Sequence, residues 1–207
     1  MPFTPTETQL NLMRAFAGES QARNRYTIAA AQAREKNLYV LEEVFLYTAE
    51  QERAHAAVFY DLLNEAAGQT IHIDGGFPVD IDPALTKILQ MAQHNELAEA
   101  DDVYPAFAAQ ADKDGNNRAA AVFREIAKIE AVHAGRFRQF AEWLTGNTLF
   151  SDPSADCVWM CQNCGHLHTG KEAPGICPVC LYKQDYFLRA EMAAYTSGIV
   201  LPQRVRV

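Results

Sequence analysis

No cysteine precedes residue 157 of this 207-residue chain, and proline and glycine are nearly confined to a few short breaks. No apolar run approaches the roughly 18 residues that a membrane-crossing helix needs. The opening segment, MPFTPTETQLNLMRAF, has neither a basic n-region nor an apolar h-region. No signal peptide is therefore expected, and the expected location is the cytoplasm. Basic residues are the minority, 18 Lys and Arg against 26 Asp and Glu, for a formal charge of −8. Such a balance argues against nucleic acid or an anionic membrane surface as a partner. A Gly-x-Ser-x-Gly frame is also missing, so acyl transfer through a serine nucleophile has no support.

What is present divides in two. Residues 1–150 carry 21 acids against 13 bases, whereas all five cysteines lie between 157 and 180. The first 145 residues are rich in Ala, Glu, Gln, Leu and Arg, which favour helix. Four long helical segments are predicted, at 6–34, 38–66, 83–112 and 116–144. Short turns at Lys36-Asn37 and Asp114-Gly115-Asn116 pair the helices antiparallel, and the longer 68–82 segment (GQTIHIDGGFPVDID) suits a crossover. The predicted fold is thus an all-α, ferritin-like four-helix bundle over 1–145. A linker over 146–156, a small metal-bound β/loop domain over 157–189 and a tail over 190–207 follow it.

An internal repeat supports the bundle. A shift of 78 residues carries Tyr26 to Tyr104, Phe45 to Phe123, Glu52 to Glu130, His55 to His133 and Phe59 to Phe137; a shift of 77 carries Glu19 to Glu96. One helix pair looks used twice.

The recurring positions carry chemistry. Glu52 and His55 form Glu-x-x-His on the second helix, and Glu130 and His133 repeat it on the fourth. Glu19 stands on the first helix, Glu96 and Glu99 on the third. Residues three apart share a helix face, so five carboxylates and two imidazoles can aim into one volume. Buried without countercharge they would protonate or unfold the bundle; two metal ions remove the conflict. An oxygen-rich set with a few imidazoles suits iron or manganese. Tyr26 and Tyr104 lie two turns beyond Glu19 and Glu96, placed either to hydrogen-bond ligand carboxylates or to fill the core. His72 and His94 are expected at the surface.

In the small domain, Cys161-Gln-Asn-Cys164 and Cys177-Pro-Val-Cys180 are two Cys-x-x-Cys knuckles separated by 12 residues. That pattern makes a tetrahedral four-thiolate site for iron or zinc. Trp159, Tyr186 and Phe187 are the expected aromatic core, with Cys157 left as a free thiol.

FAGESQARNRY (16–26), EQERAHA (50–56), the Glu96-x-x-Glu99 segment leading to Tyr104-Pro105, EAVHAGRF (130–137), WMCQNCG (159–165) and CPVC (177–180) together resemble a rubrerythrin. The resemblance spans roughly residues 7–188 and leaves out Cys157 and the tail. It implies a ferritin-like di-iron protein with a rubredoxin-type iron site, acting as a peroxidase that reduces hydrogen peroxide to water in oxidative-stress defence. It also implies roles residue by residue. Glu52 and Glu130 would bridge the two irons; one iron, on the Glu19 side, would exchange Glu99 for His55 on reduction; Glu96 and His133 would hold the other. Cys161, Cys164, Cys177 and Cys180 would bind the electron-transfer iron, or zinc. Electrons would come from an NAD(P)H-dependent reductase or a rubredoxin, and the implied assembly is a homodimer. The same residues leave open a ferroxidase or dioxygen-reducing activity, or an iron-binding protein with a structural zinc ribbon.

Overall fold

The computed structural model describes residues 3–193. Five α-helices form the larger unit: α1 (Glu7–Glu35), α2 (Tyr39–Asp61), α3 (Leu85–Ala98), α4 (Tyr104–Lys113) and α5 (Asn117–Thr145). α3 and α4 are two parts of one bundle helix, joined by a π-helical turn at Glu99–Val103. The predicted single helix over 83–112 is therefore interrupted. Pro105 contributes, because it offers no N–H to the carbonyl four residues before it. The predicted second helix also ends early: α2 stops at Asp61, and only a 3₁₀ turn at Asn64–Ala66 follows.

The ends of the helices are legible in local chemistry. Thr6 and Gln9 close a reciprocal capping box at the start of α1. The Asn116 side chain accepts from the Ala119 amide at the start of α5. The α1–α2 turn places Asn37 at φ 56°, and the α4–α5 turn places Gly115 at φ 75°, the left-handed region those two residue types tolerate.

The segment between α2 and α3 runs back along the bundle, as a crossover must. Arg14 pairs with Asp74 at 2.7 Å, Arg25 pairs with Asp80, and the Gln32 amide donates to the Asp82 carbonyl at 3.0 Å. Two hairpins and this single crossover make the ferritin-like arrangement.

Two apolar clusters fill the bundle. One, built on Tyr26, Leu41, Phe45, Leu89, Phe137 and Phe140, lies towards the α1–α2 turn. The other, built on Leu12, Phe59, Tyr104, Ala111 and Phe123, lies towards the opposite end. Glu19, Glu52, Glu96 and Glu130 fall between them.

The small unit is a three-stranded antiparallel sheet in the order β2-β1-β3, with β1 Val158–Cys161, β2 Leu167–Thr169 and β3 Phe187–Arg189. Trp159 and Phe187 are its buried core; Tyr186 instead stacks on Tyr39 of α2, centroids 4.3 Å apart. Met160, Leu188 and Met192 extend the bundle's own core cluster. Buried Arg189 lies over the Trp143 ring of α5 at 3.9 Å and over Trp159 at 5.3 Å, and donates to the carbonyls of Thr148 and Ser151. Of the expected tail, only 190–193 fall within the described residues, with a 3₁₀ turn at Ala190–Met192.

Arg189→Leu should lose about 1.5–3 kcal/mol of charge-assisted hydrogen bonding at this junction. Limited proteolysis checks it: cleavage within 146–156 should accelerate several-fold while bundle helicity stays constant.

Candidate metal centres

Each helix delivers its acid from a frame of small or aromatic neighbours that keeps water out. Glu19, Glu52, Glu96, Glu130 and His133 are all at most 1% exposed, and His55 is 7% exposed. Six of the seven predicted residues gather into two overlapping sets: Glu19, Glu52, His55 and Glu130, and Glu52, Glu96, Glu130 and His133.

Glu52 and Glu130 belong to both sets, and each offers one oxygen to each. His55 Nδ1 lies 3.2 Å from Glu52 Oε2, 2.9 Å from Glu130 Oε1 and 3.6 Å from Glu19 Oε2. His133 Nδ1 lies 3.0 Å from Glu52 Oε1, 2.8 Å from Glu130 Oε2 and 3.5 Å from Glu96 Oε2. The imidazole rings are nearly parallel, centroids 5.7 Å apart.

Most of these close contacts lack hydrogen-bond alignment. Glu19 Oε2, Glu52 Oε1, Glu96 Oε2, both Glu130 oxygens and His133 Nδ1 are buried without a hydrogen-bond partner. Unsatisfied donors and acceptors are rare in protein interiors. Here the orphaned atoms are the very ones that converge, which is the donor set of two cations. The oxygen-rich, two-imidazole composition fits the two non-haem irons of a di-iron carboxylate site.

The tyrosines hold the outer carboxylates, but crosswise. Tyr26 donates to Glu96 Oε1, and Tyr104 donates to Glu19 Oε1. Each phenol thus serves the acid of the other half rather than the one on its own helix, and fixes one oxygen so that the other turns to the metal position. Burial pushes both phenols well above their usual range, so they remain donors.

Glu99 stands apart from both sets. Its Oε1 lies 4.0 Å from the place a side chain on Gly18 would occupy, beside Glu19. Burial, then the charges of Glu130 and Glu52, push its carboxyl up to about 8. His72 and His94 are exposed, as expected.

Two residues that motif reading missed stand behind His133. Gln51 Oε1 is 3.1 Å from His133 Nε2, and Arg136 Nη1 donates to Gln51 Oε1 at 3.1 Å and to Thr48 Oγ1 at 2.9 Å. Gln51 adjoins Glu52 in sequence, but only the packing of α2 against α5 shows which way its amide points.

In the small unit, Cys161, Cys164, Cys177 and Cys180 cluster, with Sγ–Sγ separations of 3.6 Å for Cys161–Cys180 and for Cys164–Cys177. A disulfide needs about 2.0 Å. A tetrahedron with metal–sulfur bonds of about 2.3 Å has edges near 3.8 Å, so the sulfurs fit a single iron or zinc. Gly165 and Leu181 follow the knuckles in the left-handed region, at φ 76° and 64°. Cys157 is buried, and burial raises its thiol.

Sequence profiles of known families match both units: one described as Rubrerythrin over 11–141, and one described as the rubredoxin-like domain of rubrerythrin over 159–188. The chain is 40% identical to a rubrerythrin of Porphyromonas gingivalis over 88% of its length and 89% of that protein's. It is 37% identical to a rubrerythrin of Nitratidesulfovibrio vulgaris, covering 88% and 93% of the two chains. The all-ferrous structure of nigerythrin superposes with a TM-score of 0.60 at 29% identity, covering 90% of this chain and 88% of that one. A bacterioferritin of Desulfovibrio desulfuricans shares the bundle fold, at 20% identity over 69% of this chain and 82% of its own and a TM-score of 0.61.

The metal-free cluster has an unusual dependence on pH. For His55, burial alone would lower the pKa, but Glu130, Glu19 and Glu52 outweigh it and raise it to about 12. For His133, burial is likewise outweighed, by Glu130, Glu52 and Glu96, to about 11. Burial raises Glu19 and Glu96 well above the usual range. Glu52 is held down at about 2, because the two imidazoles overcome its burial. The folded metal-free chain therefore keeps protons that the unfolded chain releases above about pH 4.5 from its acids and above about 6.5 from its imidazoles. Folding stability falls as pH rises through this window. The depressed Glu52 acts the other way, but only below about pH 4.5. The urea midpoint of metal-free protein should be lower at pH 8 than at pH 6, and metal loading should abolish that trend. A midpoint that rises between the two would contradict it.

Proposed function

This chain belongs to the rubrerythrin family, and from that membership we propose that it is a non-haem di-iron peroxidase reducing hydrogen peroxide to water. The observation that carries the reading is the coexistence of two kinds of site: two carboxylate sets sharing Glu52 and Glu130, and a thiolate tetrahedron of the rubredoxin type. Storage or simple iron binding has no use for a built-in one-electron site. Iron held by the carboxylate sets would supply two electrons for peroxide reduction, and iron held by Cys161, Cys164, Cys177 and Cys180 would supply one-electron chemistry.

The residues do the rest. Glu52 and Glu130 each turn one oxygen towards His55 and the other towards His133, and would so contribute to both metal positions. Tyr26 and Tyr104 fix Glu96 and Glu19 from outside. Reduction of one peroxide to two waters consumes two electrons and two protons. The Glu99 carboxyl and the phenols of Tyr26 and Tyr104 lie beside the site, where they would relay those protons inward. The apolar clusters on either side exclude bulk water from the reacting volume.

Electron supply favours a homodimer. Within one chain the small unit packs at the α1–α2 turn, whereas His55 lies 16 residues along α2 from Tyr39. At about 1.5 Å per residue that is about 24 Å of helix. A second chain, arranged head to tail, brings its thiolate site closer to this chain's carboxylates. The ultimate donor is a reductase using NAD(P)H or a separate rubredoxin.

The test is anaerobic reduction followed by one equivalent of hydrogen peroxide, watched by visible absorption. Iron–thiolate colour should bleach on reduction and return promptly with peroxide. Cys161→Ser should abolish steady turnover, yet leave single-turnover oxidation of the reduced bundle intact, whereas Glu52→Gln should abolish both. Protein colourless throughout places zinc in the thiolate site, and faster reoxidation by dioxygen than by peroxide favours the dioxygen-reducing alternative.

A further inference from the structure

The two halves of the repeat differ in what stands behind their histidines. Behind His133 is a chain of hydrogen bonds whose direction is set by its far end. A guanidinium can only donate. Arg136 Nη1, 3.1 Å from the Gln51 side chain, therefore requires the amide oxygen at that position. That oxygen can only accept, so His133 Nε2, 3.1 Å away, carries its hydrogen there. In the neutral ring that a metal ligand requires, the Nδ1 lone pair is then left to face Glu52, Glu96 and Glu130. Arg136 is fixed in turn by Thr48 Oγ1 at 2.9 Å and by the Tyr47 ring, 5.1 Å from its guanidinium carbon.

The shift of 78 that carries Glu52 and His55 onto Glu130 and His133 pairs Gln51 with Ile129, Val58 with Arg136 and Thr48 with Ile126. None of the three apolar residues can donate or accept. Among the described residues no hydrogen bond reaches His55 Nε2. One imidazole is clamped from behind; the other is held only through the nitrogen that faces the carboxylates.

A second asymmetry falls on the same side. Glu99, three residues beyond Glu96, has no acidic counterpart: Ala22 stands three residues beyond Glu19. Glu99 sits next to Gly18 and hence beside the Glu19–His55 set, close by but outside it. The unclamped histidine and the spare carboxylate lie on the same side of the site.

We propose that Gln51 and Arg136 are positioning residues that make His133 a permanent ligand, whereas His55 has no such clamp and is released far more easily. The inference rests on the di-iron reading above. To swing away, His133 must break a bond to an amide that a charged guanidinium holds in place; His55 has no such bond behind it.

The experiment uses full-length protein loaded anaerobically with two ferrous ions, with iron release to a ferrous chelator followed in time. Wild type should release one ion quickly and one slowly. Gln51→Leu should accelerate the slow phase by about 10–100-fold, the usual effect of losing a partner behind a metal-bound histidine. Gln51→Glu, which keeps an accepting oxygen, should restore it. The reverse change, I129Q with V58R at two exposed positions outside the core, should slow the fast phase. Proton NMR of the ferrous protein reads the clamp directly: one shifted imidazole N–H should resist solvent exchange in wild type and disappear in Gln51→Leu. Release of both ions in one phase, or a slow phase and N–H signal unchanged in Gln51→Leu, overturns the clamp. A wild type that takes up fewer than two irons overturns the di-iron reading instead.

Discussion

Ionised carboxylates in a dry helical core are costly, and the organisation of this bundle follows from how it meets that cost. Metal-free, the cluster is close to neutral: two imidazolium groups face the depressed Glu52 and Glu130, while burial keeps Glu19, Glu96 and Glu99 protonated. Iron takes the place of those protons. The same cavity accommodates both conditions because charge balance, not ligand count, is what it preserves. The apolar clusters above and below make the balance strict, since they surround the charges with side chains that cannot solvate them.

The repeat explains the geometry and also its exceptions. Two helix pairs related by the sequence repeat present equivalent acids and histidines, and the tyrosines cross between halves. A perfectly symmetric site would hold its two irons alike. Departures at Gln51, Arg136 and Glu99 make them unlike, and all lie outside the Glu-x-x-His motifs themselves.

Much of this was legible in the sequence. Spacing placed Glu52 with His55 and Glu130 with His133 on inward faces, because a helix face is a local property. The crossover and the cysteine knuckles were readable for the same reason. The π-turn was written there too, less openly: the repeat offset changes from 77 at Glu96 to 78 at Tyr104, a one-residue insertion that a π-turn at Glu99–Val103 accommodates within the helix. It restores Tyr104 to the place that Tyr26 holds in the other half. The crossed phenols, the displaced Glu99 and the Gln51–Arg136 pair were not legible, since each depends on contacts between helices distant in sequence. Tyr186 likewise reads as core by its type, yet its ring lies between units, against Tyr39.

The junction of the two units carries a consequence for assembly. Arg189 is pinned between an indole from each unit, and Leu188 and Met160 are part of the bundle's own core. The thiolate tetrahedron is therefore mounted as a fixed projection of the bundle, not swung on a tether. Whatever surface it meets is chosen by the shape of the whole chain, and changing the length of 146–156 alone would alter that choice only by first prising the projection loose.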